Sequence, residues 1–210
     1  MIPVSLWLLS AALAALSFAP AVAEGGGVAD PAARVLGERL RRQSEAHRLY
    51  QGGRFVEAAL EFESLWEDFR EPRDLYNAAS SRAMLGHNAH GVRYLEIFAA
   101  IEGLGPQEAQ EARVQMGELR RGLIALRLTF TGVEGEIEVI AEHVPGLASD
   151  LRPPLRFDAR ALAASRGEVS LDPGTWRLTA VASDGRRDAV EITVEREAAA
   201  VEFVFRAGRS

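Results

Sequence analysis

The stretches GRFVEAALEF (residues 53–62) and GHNAHGVRYL (residues 86–95) carry one pattern, 33 residues apart. In each stretch a glycine precedes a segment in which small and large apolar residues recur every three or four positions, which is the spacing of one helix face. A period of roughly 34 residues is typical of paired-helix units that stack and present a surface to a partner. The repeat therefore favours binding over catalysis.

Outward from the repeat, apolar periodicity predicts five helices. Asp30 followed by Pro31 has the residue types of a helix cap and first turn. Pro72 is expected to end the second helix. The fifth helix has no partner helix in the sequence and is expected to cap the last repeat. The predicted helices run from residue 31 to the glycines at 52 and 53, over 55–69, 75–85 and 89–101, and from Pro106 to about residue 123.

After Leu123 the apolar period changes from 3.6 to 2, as in Leu126, Leu128 and Phe130. Turn residues separate six or seven such short segments, which is typical of a small β-sandwich. The predicted class is α+β, with N-terminal helical hairpin repeats (an α-solenoid) followed by a small antiparallel β-sandwich. The predicted divisions are a signal peptide over 1–23, a disordered leader over 24–30, a repeat domain over 31–122 and a sandwich over 123–207.

The N-terminal segment has the features of an export signal. Residues 1–23 hold no charged side chain, contain a largely apolar run over 6–18, and finish Ala21-Val22-Ala23. Small residues at this spacing predict cleavage after Ala23, and hence a periplasmic or secreted protein of a Gram-negative-type bacterium. The alternative is an uncleaved anchor, because about 20 apolar residues can span a bilayer.

Composition excludes several functional classes. The chain has no cysteine, so disulfides, thiolate metal sites and a cysteine nucleophile are ruled out. Its net charge is −6, from 30 acidic residues and 24 arginines, and it has no lysine. The net negative charge is spread along the chain, which argues against a nucleic-acid partner, because that function needs a basic face to neutralise phosphates.

The helical half resembles the tetratricopeptide repeat family over residues 40–121. Small residues stand where two helices cross at Ala46 and Ala79, and turn glycines stand at Gly53 and Gly86. In that family the first helix of each repeat lines a groove that binds partners. The resemblance implies a groove lined by His47, Tyr50, Gln51, Arg73, Tyr76, Asn77, Ser80 and Met84, with Leu40, Gln43 and Ser44 beside them. The alternative is that these are ordinary surface residues, or are covered by the long first helix or by the β half.

The β half resembles the PEGA and carboxypeptidase-regulatory-like sandwich modules at LDPGTWRL (residues 171–178), taken as a hairpin turn followed by an aromatic-led strand. The resemblance implies a structural or envelope-contacting unit without catalytic residues. A competing function is a glycan- or peptidoglycan-binding sandwich with the helices as a spacer. Sugar stacking needs exposed aromatic rings, and those of the β half occupy mostly inward strand positions: Phe130, Phe157, Trp176, Phe203 and Phe205.

Reactive constellations are sparse. His87 and His90 can share a helix face, but no third ligand is near them in sequence, so no metal site is predicted. Ser80 and Ser81 lie in a helix without the glycine-rich elbow of a nucleophile. A hydrolase is a remote option, and no enzyme activity or cofactor is expected.

The predicted function is an exported, non-enzymatic protein–protein scaffold or adaptor of the envelope. Two repeats are fewer than the three usually needed for a stable array. The capping helix, the sandwich or a second copy of the chain must therefore cover the exposed faces, and a homodimer is one of these options.

Overall fold

A computed structural model of the chain describes residues 30–144, 151–195 and 199–205. The predicted signal peptide, its cleavage site and the leader up to residue 29 lie outside the described residues. Helices come first and strands follow, so the α+β class is confirmed. The leading helices are α1 (Pro31–Gln51), α2 (Phe55–Phe69), α3 (Pro72–Met84), α4 (Asn88–Ala99) and α5 (Pro106–Arg120).

Local sequence explains the helix ends. Asp30 caps α1 by accepting a hydrogen bond from the Ala32 amide (3.1 Å), and Pro31 occupies the first turn. Gly53 and Gly86 both have φ of 74°, a left-handed backbone that glycine adopts without strain, and they form the α1–α2 and α3–α4 turns. Pro72 begins α3 rather than only ending α2, so α3 starts three residues before its predicted position.

Each helix packs on the next one along the chain, from α1 to α5. Three alanines spaced 33 residues apart, Ala46, Ala79 and Ala112, are each fully buried (0 % exposed). The period therefore extends into α5, which has the register of a first helix in a third unit. The chain then enters a strand at Ile124 instead of forming a second helix for that unit.

The second half of the chain forms two sheets over one hydrophobic core. One sheet has the order β4-β1-β7 and the other the order β3-β2-β5-β6. Trp176 from one sheet and Phe203 and Leu126 from the other are fully buried in that core. The strands are β1 (Ile124–Thr131), β2 (Ile137–His143), β3 (Leu155–Phe157), β4 (Glu168–Leu171), β5 (Gly174–Ala182), β6 (Arg187–Val194) and β7 (Ala199–Val204).

Three details of the β half differ from the sequence predictions. The pair β1–β7 is parallel, because the chain crosses from one sheet to the other after β6. The predicted hairpin at residues 171–178 is wrong: β4 pairs with β1, and β5 pairs with β2 and β6, so this segment crosses between sheets. A short helix α6 (Ala159–Ala164) was not predicted, although Asp158 caps it by accepting from the Ala161 amide (2.7 Å).

Within the described part of the chain, no helix combines the length and the apolar character needed to cross a bilayer.

Candidate functional site

The first helices of the three units lie side by side and are joined by polar contacts. Gln43 of α1 donates to Asp74 Oδ1 of α3 (3.1 Å). Gln115 of α5 reaches the Ser80 hydroxyl of α3 (3.4 Å). Arg39 forms an ion pair with Glu71, just before α3 (3.0 Å). These contacts make one continuous surface from α1, α3 and α5.

The solvent side of this surface repeats with the 33-residue period. In each helix four residues at i, i+4, i+7 and i+11 point the same way, since a helix turns 100° per residue. Ten of the twelve are exposed, and Asn77 and Ser80 are half-buried. We call these residues the first-helix face: Leu40, Ser44, His47 and Gln51; Arg73, Asn77, Ser80 and Met84; Pro106, Gln110, Arg113 and Gly117.

Six of the eight predicted site residues belong to the first-helix face, namely His47, Gln51, Arg73, Asn77, Ser80 and Met84. The other two pack inward. Tyr50 lies edge-on to Phe55 with ring centroids 5.3 Å apart, and Tyr76 packs on Phe98 at 5.4 Å. Burial raises the pKa of both phenols. Truncating either tyrosine would remove core packing as well as surface, so neither isolates a binding contribution.

Asp74 lies beneath the first-helix face, between α1 and α3, and its side chain is fully buried. Its Oδ2 has no hydrogen-bond partner among the described residues. Burial raises the pKa of this carboxyl, although the Gln43 amide partly offsets that effect. Its position in the first turn of α3, next to Pro72, resembled an ordinary helix start, so sequence reasoning gave it no role.

Gln110 and Arg113 of α5 were also missed, because α5 was predicted to be only a cap. The available signal was Ala112, which continues the spacing of Ala46 and Ala79 and sets the register of α5. Both missed residues are exposed. The face therefore extends over three helices rather than the two that were predicted.

A second polar cluster joins the helices to the sheets and is buried. The Arg82 side chain is fully inaccessible (0 % exposed) and forms a two-point ion pair with Glu63 (2.7 and 2.9 Å). Arg82 Nη1 also donates to the Leu151 carbonyl in the segment before β3 (2.6 Å). The Tyr94 hydroxyl donates to Glu63 (2.9 Å), and burial raises the pKa of this phenol. One guanidinium thus connects α2, α3 and the β half.

Asp172, between β4 and β5, caps α4 from the other half of the molecule. Its carboxylate oxygens accept hydrogen bonds from the amides of Asn88 (2.9 Å) and Ala89 (3.1 Å). Its carbonyl accepts from the Trp176 indole (2.9 Å). Burial raises the pKa of the Asp172 carboxyl, while the two helix amides act in the opposite direction.

His90 lies in the same cluster. Its Nε2 donates to the Pro153 carbonyl (2.7 Å), and its ring stacks on Trp176 with centroids 6.4 Å apart. Burial lowers the pKa of His90 to about 3, and the nearby charges of Arg82, His87 and Arg152 act in the same direction. The described residues contain no group of three side chains able to hold a metal ion.

The two surfaces differ in what they offer a ligand. The side chains of the second polar cluster, which we call the joint between the two halves, are buried and bonded to one another, so they hold the fold together. Groups of the first-helix face are exposed across three helices and are accessible to a partner.

Comparisons with protein-family models, curated proteins and solved structures give no match to this chain. The function of this chain is therefore inferred from its own residues and geometry.

Proposed function

We propose that this chain is an exported, non-enzymatic interaction scaffold of the bacterial envelope that holds a segment of a partner protein on its first-helix face. In this proposal the helices form a short α-solenoid of the tetratricopeptide type. The two sheets form a β-sandwich that supports it.

The observation that carries the proposal is the alignment of three exposed rows, one on each of α1, α3 and α5, at a constant 33-residue spacing. Along these rows the Leu40 side chain is 54 % exposed and Met84 is 47 % exposed. The side-chain amides of Gln51, Asn77 and Gln110 lie on the same rows. A face that combines apolar side chains with amides suits an extended peptide, whose side chains and main chain need both.

The hydroxyls of the helical half support a non-enzymatic function. Ser80 donates to the Tyr76 carbonyl (3.1 Å) and Ser81 to the Asn77 carbonyl (2.8 Å). Both are engaged with the backbone of their own helix rather than with a histidine base, which a serine nucleophile requires.

The aromatic residues of the β half favour the helical face over a glycan site. Trp176 and Phe203 are fully buried, and Phe205 is 4 % exposed. Phe130 and Phe157 are half-buried and pack against the same core. A sugar ring stacks on an exposed aromatic face, and none of these five side chains offers one.

The test is a crosslinked pull-down from the envelope with the double variant Asn77→Ala, Met84→Ala. We expect capture of the partner to fall about thirtyfold, since binding hot spots contribute about 2 kcal/mol. The melting temperature should hold, because Met84 is exposed and half-buried Asn77 lies outside the hydrophobic clusters of the helices, and such surface substitutions usually change the free energy of unfolding by under about 0.5 kcal/mol.

The matched control is Arg177→Ala, Glu191→Ala, which removes an ion pair on the outer surface of β5 and β6 (3.5 Å). This control should capture the partner as well as the unaltered chain does. If the control loses the partner while the helical variant keeps it, the partner binds the sheets, and the alternative of a binding sandwich with a helical spacer replaces the proposal.

A further inference from the structure

We infer that the partner segment on the first-helix face is acidic and extended, with two carboxylates about four residues apart that bind Arg73 and Arg113. This inference rests on the proposed function and specifies the chemistry of the partner.

The charge of the first-helix face is opposite in sign to that of the chain. The chain as a whole has a net charge of −6. Among the twelve residues of the face, the charged ones at neutral pH are Arg73 on α3 and Arg113 on α5, and none is Asp or Glu. A cationic face on an acidic protein attracts acidic segments and disfavours basic ones.

Both arginines are exposed and unneutralised. Neither makes an ion pair or a side-chain hydrogen bond with any residue in 30–144, 151–195 or 199–205. Other arginines of the helices are held by acids, as in Arg39 with Glu71 (3.0 Å) and Arg120 with Glu96 (2.8 Å). Arg73 and Arg113 therefore have their guanidinium donors available for a ligand.

Acidic residues beside the face already have partners within the chain. Glu71 pairs with Arg39, and Asp74 is buried beneath the face and accepts from Gln43. Glu111 accepts a hydrogen bond from the Gln107 amide (2.8 Å). These contacts leave the two arginines for a carboxylate supplied by another molecule.

The register sets the spacing of the two arginines. Arg73 precedes Ala79 by six residues and Arg113 follows Ala112 by one, so their heights along parallel helices differ by seven residues, or about 10 Å. With neighbouring helix axes about 9 Å apart, the two Cα atoms are about 14 Å apart. An extended chain covers about 3.4 Å per residue, so carboxylates four residues apart match this distance. Each guanidinium can bind a carboxylate through two parallel hydrogen bonds.

The experiment places a photoreactive residue beside the face of the full chain by Val114→p-benzoylphenylalanine, because Val114 is exposed next to Arg113 and is not one of the twelve face residues. Irradiation in the envelope is followed by mass spectrometry of the crosslinked segment. We expect a segment with at least two Asp or Glu residues about four positions apart, captured less at high salt, because screening weakens exposed charge pairs.

Charge reversal by Arg73→Glu with Arg113→Glu should lower the crosslinked yield at least tenfold, and Arg73→Lys with Arg113→Lys should retain part of it. The matched control is Arg34→Glu with Arg41→Glu, which makes the same charge change at exposed positions about 100° around α1 from the face. A captured segment without acidic residues, or an equal loss in the control, overturns the inference and leaves the scaffold proposal standing. No crosslinked protein at position 114 contradicts the scaffold proposal itself.

Discussion

Asp172 is the residue on which the start of α4 depends. The cap position of α4, His87, makes no side-chain hydrogen bond to the first helical amides. Asp172 supplies that bond from 83 and 84 residues away along the chain, and it is 2 % exposed. Sequence reasoning could not find this contact, because Asp172-Pro173-Gly174 is also an ordinary turn sequence.

Replacing Asp172 by alanine is expected to lower the free energy of unfolding by about 2 kcal/mol, because two buried amides lose their acceptor. Asp172→Asn should lose less, since one side-chain oxygen remains. Urea unfolding followed by circular dichroism measures the effect. Asp158→Ala, which removes the exposed cap of the short helix α6, is the matched control and should cost under about 1 kcal/mol. Equal losses in the two variants would mean that the cap on α4 adds nothing beyond a surface cap.

His90 gives the fold a dependence on pH. The unfolded chain binds a proton at this side chain below about pH 6.5. In the folded chain burial lowers its pKa to about 3. Between these two pKa values the unfolded state holds more protons than the folded state. The stabilising contribution of neutral His90 is therefore complete above pH 6.5 and is lost as the pH falls. Burial raises the pKa values of Asp172 and Asp74, so these two carboxyls act in the opposite sense as the pH falls.

We predict that the titration of His90 lowers the free energy of unfolding by about 1.6 kcal/mol between pH 6.5 and pH 5, with a slope that approaches about 1.4 kcal/mol per pH unit towards pH 5. His90→Phe keeps a flat ring against Trp176 but cannot titrate, so its slope over this range should be smaller, even though losing the bond to Pro153 makes it less stable overall. Identical slopes for His90→Phe and the unaltered chain would show that another group causes the dependence.

Gly91 of α4 lies where α3 and α5 both approach the helix. A Cβ atom there would lie 2.8 Å from Leu119 Cδ1 and 3.3 Å from the Ala79 carbonyl. The equivalent residue of the first hairpin, 33 residues earlier, is Ala58, which is fully buried. The difference arises because α5 places Leu119 against Gly91, whereas the residue 33 positions before Leu119 is Gly86, which has no side chain. This contact could not be foreseen while α5 was regarded as a cap without a set register.

Helix ends and strand partners were predictable to different degrees. The end of α1 and both ends of α2 agree with prediction, because a turn glycine, a cap or an apolar period is a local property of the sequence. The predicted hairpin at LDPGTWRL (residues 171–178) was wrong, because this segment has the same turn residues whether its two strands pair with each other or belong to different sheets. The first-helix face was predictable in two of its three helices, and the inward packing of Tyr50 and Tyr76 was not.

Gly91→Val is predicted to lower the free energy of unfolding by about 1–3 kcal/mol, through overpacking against Leu119 and the Ala79 carbonyl. Gly117→Ala is the matched control, because Gly117 also lies inside a helix but has nothing within 4 Å of an added Cβ. It should raise the free energy of unfolding by about 0.5–1 kcal/mol through helix propensity. Denaturant midpoints measure both changes. A neutral Gly91→Val would show that α5 can move away from α4.

The joint connects two halves of the molecule that have separate hydrophobic cores. Separate cores alone would predict that the halves unfold independently. Ala89 of α4 belongs to the core of the sheets, and Arg82 bonds to Leu151 of the β half. The predicted division at residues 122 and 123 concerns secondary structure, whereas cooperativity depends on these long-range contacts. We therefore expect the two halves to unfold together.

Arg82→Met tests this expectation. In the chain that starts at Glu24, Trp66→Phe leaves Trp176 as the sole tryptophan, so its fluorescence reports the sheets while ellipticity at 222 nm is dominated by the helices. Arg82→Met leaves the Glu63 carboxylate buried and unpaired, at a cost of about 3–5 kcal/mol, and both signals should move to the same lower urea midpoint. The double variant Arg82→Met, Glu63→Met removes the stranded charge and should recover part of the loss. If the helical signal moves while the fluorescence midpoint stays in place, the halves are independent domains and the joint is only a contact between them.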